Sequence, residues 1–155
     1  EDIIMATKSS IKAAEAMVRL EPIYQGKFSR NIRYFADETL THLQIQALFL
    51  LRDCGPLAMH QISVRLHMSK QHLTRFIDTL VRRGILERFQ LENNRRTVYI
   101  RITPEGEKLL DDYIRYAVDT FATMVDSLTE EEKNNITNAA NVLLDVISKV
   151  DDREI

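Results

Sequence analysis

The sequence predicts a mainly α protein with a small β-hairpin wing: a winged helix-turn-helix, with a helical dimerisation region formed by the N- and C-terminal helices. Three observations predict it. Helix-period apolar patterning runs through most of the 155 residues, and only four Gly and three Pro interrupt it. Two short helix-like stretches, joined by two residues, stand near the middle of the chain. Directly after them, from Ile85 to Ile102, the apolar period changes from that of a helix to two.

Taken in order, Ile4, Ile11, Ala14, Met17, Val18 and Leu20 recur at helical spacing over residues 3–20, and Pro22 and Gly26 are expected to interrupt that helix. A second helical stretch is expected over Phe28–Phe35. Thr41 and Gln44 form a T-x-x-Q capping box, in which each side chain satisfies an orphan backbone donor at the other residue, so a helix is predicted over Thr41–Asp53. Gly55 and Pro56 stop it. The next helix is Met59–Leu66, with Ile62 and Leu66 inward, and His67-Met68 connects it to the following one. Ser69 caps that helix, Lys70–Arg83, whose Leu73, Phe76, Ile77, Leu80 and Val81 fall on one face. Gly84 suits the left-handed residue after a helix. Ile85–Phe89 and Thr97–Ile102 read as strands around a polar turn at Glu92–Arg95. Thr103 and Pro104 are cap and first residue of a long helix to about Leu128. Thr129 and Glu132 make a second capping box, opening a last helix over about Glu130–Val150. These elements divide the chain into an N-terminal helical dimerisation segment (1–38), a winged helix-turn-helix (39–103) and a C-terminal helical dimerisation segment (104–155).

Composition is that of a globular chain, 45% apolar and 28% charged, and no apolar run approaches the ~20 residues needed to cross a bilayer. No membrane association and no signal peptide are expected. The single Cys54 excludes an intramolecular disulfide framework and fits a reducing, cytoplasmic setting; a buried structural thiol is the expected role. The net charge of −2 looks unfavourable for nucleic acid, but it is segregated. From His60 to Thr103 there are nine basic and three acidic residues; from Pro104 to Ile155 there are five basic and thirteen acidic. A basic middle between neutral and acidic flanks is the footprint of a nucleic-acid-binding module on a solubilising scaffold.

The helix capped by Ser69 carries that reading. Its apolar stripe fixes it on the body, and its other face projects Lys70, Gln71, His72, Thr74, Arg75 and Thr79. Donors, acceptors and cations on the N-terminal turns suit a helix entering a major groove, where Gln pairs with adenine and Arg or Lys with guanine. Helix N-terminal amides near Ser69 and Lys70 suit a phosphate. The hairpin tip presents Arg95 and Arg96 to backbone phosphate or a narrow minor groove. The alternative is a winged-helix protein-interaction module without DNA binding.

The stretch from Leu66 to Arg88 resembles the helix-turn-helix of the MarR family of transcription regulators. Asn94–Gly106 resembles the second half of that family's wing and the start of its next helix, and Leu40–Leu48 the helix before the DNA-binding unit. The resemblance implies a homodimer paired through the terminal helices, reading a pseudo-palindromic site in double-stranded DNA, more often as repressor than activator. It also implies a small aromatic or phenolic effector bound between the dimerisation and DNA-binding parts, where Tyr24, Phe28, Tyr34 and His42 are the candidate lining residues. At the wing tip the sequence departs from the family pattern, with Leu91, Glu92 and Asn94 where Asp, Pro and Asp are common. Asp78 is expected to pair with a wing arginine, Arg96, which would leave Arg95 for DNA.

No nucleophile–base pair, glycine-rich phosphate loop or paired catalytic carboxylate is present, so no enzyme activity, catalytic residue or cofactor is expected. His42, His60, His67 and His72 lack metal-site spacing, and no metal is expected.

Overall fold

The structure is a computed structural model that describes residues 7–29, 40–92 and 94–150, with the backbone alone at 28, 29 and 94. Helix α1 spans Lys8–Tyr24, capped by the Thr7 hydroxyl. The expected break at Pro22 does not occur: Pro22 lies within α1, and the chain runs on into a π-helical turn at Gln25–Ser29 that contains Gly26. The described residues of α1 are exposed, so water can serve the carbonyl that proline leaves without a donor. Of the stretch expected over Phe28–Phe35, only Phe28 and Ser29 are described; Tyr34 lies outside the described residues.

Helix α2 (His42–Cys54) has the expected capping box: Thr41 Oγ1 accepts from the Gln44 N–H and Gln44 Oε1 from the Thr41 N–H. It ends at Gly55, whose positive φ of 72° is open to glycine at little cost. Strand β1 (Leu57–Ala58) leads into α3 (Met59–Arg65), and His67 turns the chain with a φ of 48° into α4 (Lys70–Arg82). Strands β2 (Leu86–Leu91) and β3 (Asn94–Ile102) form the hairpin. Helices α5 (Pro104–Val125) and α6 (Glu130–Ile147) follow, each with its predicted threonine cap.

The sheet has three antiparallel strands in the order β1-β3-β2, one more than expected. β1 pairs Leu57 with Ile100 and Ala58 with Tyr99. Two residues are too few to show a period, which is why sequence patterning misses this strand. The hairpin strands also reach further than expected: Leu91 pairs with Asn94.

One core joins these pieces. Leu48 and Leu51 of α2, Ile62 of α3, Leu73, Ile77 and Leu80 of α4, Leu86 and Ile100 of the sheet and Leu110 of α5 are buried together. The apolar stripe of α4 behaves as its spacing requires. At the base of the wing, Thr103 Oγ1 donates to the Gly84 carbonyl at 2.6 Å, and the Thr103 N–H bonds the Ile85 carbonyl. Gly106 packs so closely there that a Cβ would collide with the Ile85 carbonyl oxygen. Arg52 ties α2 to α5, its Nε 2.8 Å from Glu107 Oε2 and its Nη2 2.9 Å from Asp111 Oδ1. Burial alone would lower the pKa of this guanidinium; the bonds to Glu107 and Asp111 outweigh it and raise the pKa.

Cys54 corrects an expectation. It is exposed at the last turn of α2 rather than buried: the spacing puts it on the inward face, but the buried part of that helix ends one turn earlier, at Leu51.

Candidate nucleic-acid interface

Helix α4 is held from behind and open in front. Leu73, Ile77 and Leu80 are buried, whereas Lys70, Gln71, His72, Thr74 and Arg75 are exposed. Ser69, also exposed, accepts from the His72 N–H at 3.4 Å, which starts the helix at that point. The Thr74 hydroxyl donates to the Lys70 carbonyl at 2.9 Å, and the Thr79 hydroxyl to the Arg75 carbonyl at the same distance. With their protons engaged in the helix, both hydroxyls present acceptor lone pairs outward. They suit the amino groups of adenine or cytosine in a major groove.

The wing is fastened to this helix by a different arginine from the one expected. Asp78 pairs with Arg88, Nη1 to Oδ1 at 2.7 Å, and not with Arg96. Strand alternation explains the choice. Arg88 stands opposite Ile100 on the sheet face that closes over the core, so it points to the α4 side from within the rigid part of the hairpin. Arg96 lies nearer the tip, beyond the register shift between Phe89 and Leu91. It is exposed, and among the described residues neither it nor Arg95 has an ion pair. The reason for preferring Arg95 over Arg96 therefore falls away. By alternation Tyr99 and Arg101 point to the opposite face. On that outer face Arg101 pairs with Glu87 at 2.6 Å and lies 4.8 Å over the Phe89 ring. Of the nine basic residues in the segment, Arg88 and Arg101 are thus tied into the fold. Lys70, Arg75, Arg95 and Arg96 are turned outward without an ion pair among the described residues.

The candidate effector residues are only partly brought together. Tyr24, at the end of α1, lies with its ring centroid 6.5 Å from that of Phe121 in α5. Tyr113, one helix face along, meets Phe49 of α2 edge-on at 6.4 Å. Burial pushes the Tyr113 phenol up, and the nearby Tyr24 adds to the shift. Tyr113 and Phe121 escape sequence reasoning as companions of Tyr24, because helical spacing marks them only as part of the apolar face of α5. His42 opens α2, exposed, with its ring 3.2 Å from the Gln46 amide nitrogen. Phe28 is described by its backbone alone, and Tyr34 not at all. A shallow depression along the start of α5, lined by Thr103, Glu107, Asp111 and Arg115 among others, includes none of these residues. Among the described residues no group of three or more His, Cys, Asp or Glu is placed to hold a metal ion. No helix among them is long and apolar enough to cross a membrane.

Comparison with known proteins adds the family. The MarR family model matches residues 40–98, from the start of α2 through the wing. Over 122 residues the chain is 30% identical to the uncharacterised HTH-type transcriptional regulator YhjH of Bacillus subtilis (strain 168), an alignment covering 77% of this chain and 68% of that protein. A MarR family protein from Bacillus stearothermophilus has the same fold, with a TM-score of 0.74 at 20% identity over 93% of this chain and 100% of that one. NadR in complex with 4-hydroxyphenylacetate shares it too, with a TM-score of 0.61 at 18% identity over 97% and 99% of the two chains. A capped helix with an outward polar face, a hairpin wing beside it and this relationship lead to one conclusion: the chain belongs to the MarR family and is a DNA-binding transcription regulator.

Proposed function

We propose that this regulator is a homodimeric repressor that reads a pseudo-palindromic site in double-stranded DNA. Residues 39–103 form the reading unit, and the flanking segments 1–38 and 104–155 pair the subunits. The observation that carries the reading is the outward face of α4, where Lys70, Gln71, His72, Thr74 and Arg75 stand exposed beside the exposed Arg95 and Arg96. Gln71 and Arg75 select bases. Ser69 and Lys70, at the helix start, hold a phosphate; Arg95 and Arg96 hold the backbone or a minor groove.

Fluorescence anisotropy with the duplex flanking the chain's own gene, against a scrambled duplex, tests this. Arg75→Ala and Gln71→Ala are expected to lose about 1–3 kcal/mol of discrimination between the two. Arg95→Ala is expected to weaken both duplexes alike and to reduce the salt slope by about one. Equal affinity for every duplex would overturn sequence-specific regulation, and no binding to any would favour the protein-interaction module.

The proposed dimer rests on α1 and α6, which have no buried residue within one chain. The proposed effector is a small aromatic or phenolic compound bound near Tyr24, Tyr113 and Phe121, and its binding releases DNA. Support comes from the aromatic grouping there and from the 4-hydroxyphenylacetate held by the NadR relative. The protein works in the cytoplasm and, like relatives that are transcription regulators, has no catalytic role.

A further inference from the structure

The hairpin ladder has a gap just below the wing tip. Phe89 pairs with Tyr99 and Leu91 with Asn94, with a register shift between the two pairs. Between those pairs β2 contributes Gln90 alone, while β3 contributes Arg95, Arg96, Thr97 and Val98. A bulge of this kind leaves backbone groups of the longer strand without ladder partners and frees the local twist. Among the described residues, one side chain crosses the gap. Gln90 Nε2 donates to the Arg95 carbonyl oxygen at 2.7 Å. That carbonyl belongs to the peptide joining Arg95 to Arg96. The two exposed arginines therefore flank a peptide whose carbonyl is held by the Gln90 side chain.

We propose that Gln90 is the positioning residue of the wing. Its amide stands in for the missing ladder bond and holds the Arg95–Arg96 peptide, so that both guanidinium groups are presented together to DNA. The inference rests on the reading of these arginines as DNA contacts. Arg88, two residues earlier, anchors the base of the wing to Asp78; Gln90 sets its tip. The division is physical. The Arg88 pair locates the hairpin relative to α4, but it cannot orient a peptide beyond the bulge.

The test uses the full chain and a mixed-sequence duplex long enough for two half-sites, with affinity measured across a range of salt. Gln90→Met keeps the side-chain length and removes the donor. It is expected to weaken binding about fivefold, the equivalent of one net hydrogen bond, and to flatten the salt slope toward that of the Arg95→Ala/Arg96→Ala protein. Thermal unfolding is expected to stay unchanged. In the Arg95→Ala/Arg96→Ala background, Gln90→Met should cost nothing further, because its effect passes through those arginines. Unchanged binding by Gln90→Met, while the double arginine variant loses affinity and slope, would overturn the proposal and leave the wing contact standing. Equal losses in both backgrounds would overturn it as well, since Gln90 would then act by another route. Unchanged affinity and slope in the double arginine variant would remove the wing contact itself, and the proposal with it.

Discussion

In the winged helix, Leu48, Ile62, Ile77, Leu80 and Ile100 are closed off from solvent. In α1 and α6 no residue is buried, and Val18, Val142 and Leu144 are 71%, 61% and 70% exposed. Both regions carry helix-period apolar residues, so the contrast does not lie in local pattern. It lies in what each face meets. The stripe of α4 meets α2, α3 and the sheet of its own chain, whereas the stripes of α1 and α6 find too little of it to cover them. The lesson is a division of labour: one chain suffices to shape the outward surface of α4, while the faces of α1 and α6 are left open for the proposed dimer.

The strongest challenge to this comparison is Gly106→Ala at the wing base. Its Cβ would meet the Ile85 carbonyl oxygen and, at 2.8 Å, Ile102 Cγ1. Backbone cannot step aside as a side-chain tip can, so a loss of about 3 kcal/mol is expected in urea unfolding. A loss below about 0.5 kcal/mol would mean that the wing base is looser than its contacts indicate. On the other side, Leu144→Glu places a charge on the open face of α6. Self-association is expected to weaken at least about tenfold in sedimentation equilibrium, as for losing a buried leucine, with helicity retained. A chain that sediments as a monomer before any substitution would break the comparison outright.

Smaller effects sharpen it. Arg88→Ala removes the Asp78 pair, whose side chains are 36% and 43% exposed. Solvent screening limits the loss in folding free energy to under about 1 kcal/mol, but DNA affinity is expected to fall more than stability because the wing loses its anchor to α4. Anisotropy and urea unfolding of the same variant check this. The smallest effect belongs to acid. Glu132 is held below its usual pKa near 4.5, first by the Thr129 backbone N–H and then by the Thr129 hydroxyl. A depressed carboxylate pKa contributes stability that is present above the ordinary value and lost as pH falls through the folded-state value. The start of α6 should therefore fray on acidification below about pH 4.5. Circular dichroism of Glu132→Gln should lack that component of the acid transition.

Much of the fold was legible because its signals are local. The caps at Thr41, Ser69, Thr103 and Thr129 need only the next three residues, and each occurs where the spacing places it. The polar face of α4 follows from the same periodicity that buries Leu73 and Ile77. What escaped was set by distance along the chain. β1 is a strand because β3 passes beside it. Pro22 stays helical where water can replace the bond it removes. Cys54 is exposed because α2 ends one turn beyond its inward stripe. Asp78 pairs with Arg88 and not Arg96, since Arg88 stands in the regular part of the ladder beside α4 whereas Arg96 lies beyond the register shift. Gln90 carried no signal at all, because its importance depends on a bulge that no local pattern encodes.

The sequence by itself thus determined the winged helix-turn-helix, its recognition helix and the basic middle segment. Period, capping and charge are properties of neighbouring residues, and they act before any long-range contact forms. Only the tertiary structure decided which arginines are tied into the fold and which stand exposed without an ion pair among the described residues. An ion pair or a ladder gap depends on two strands and a helix arriving at one place, and that geometry belongs to the packed core.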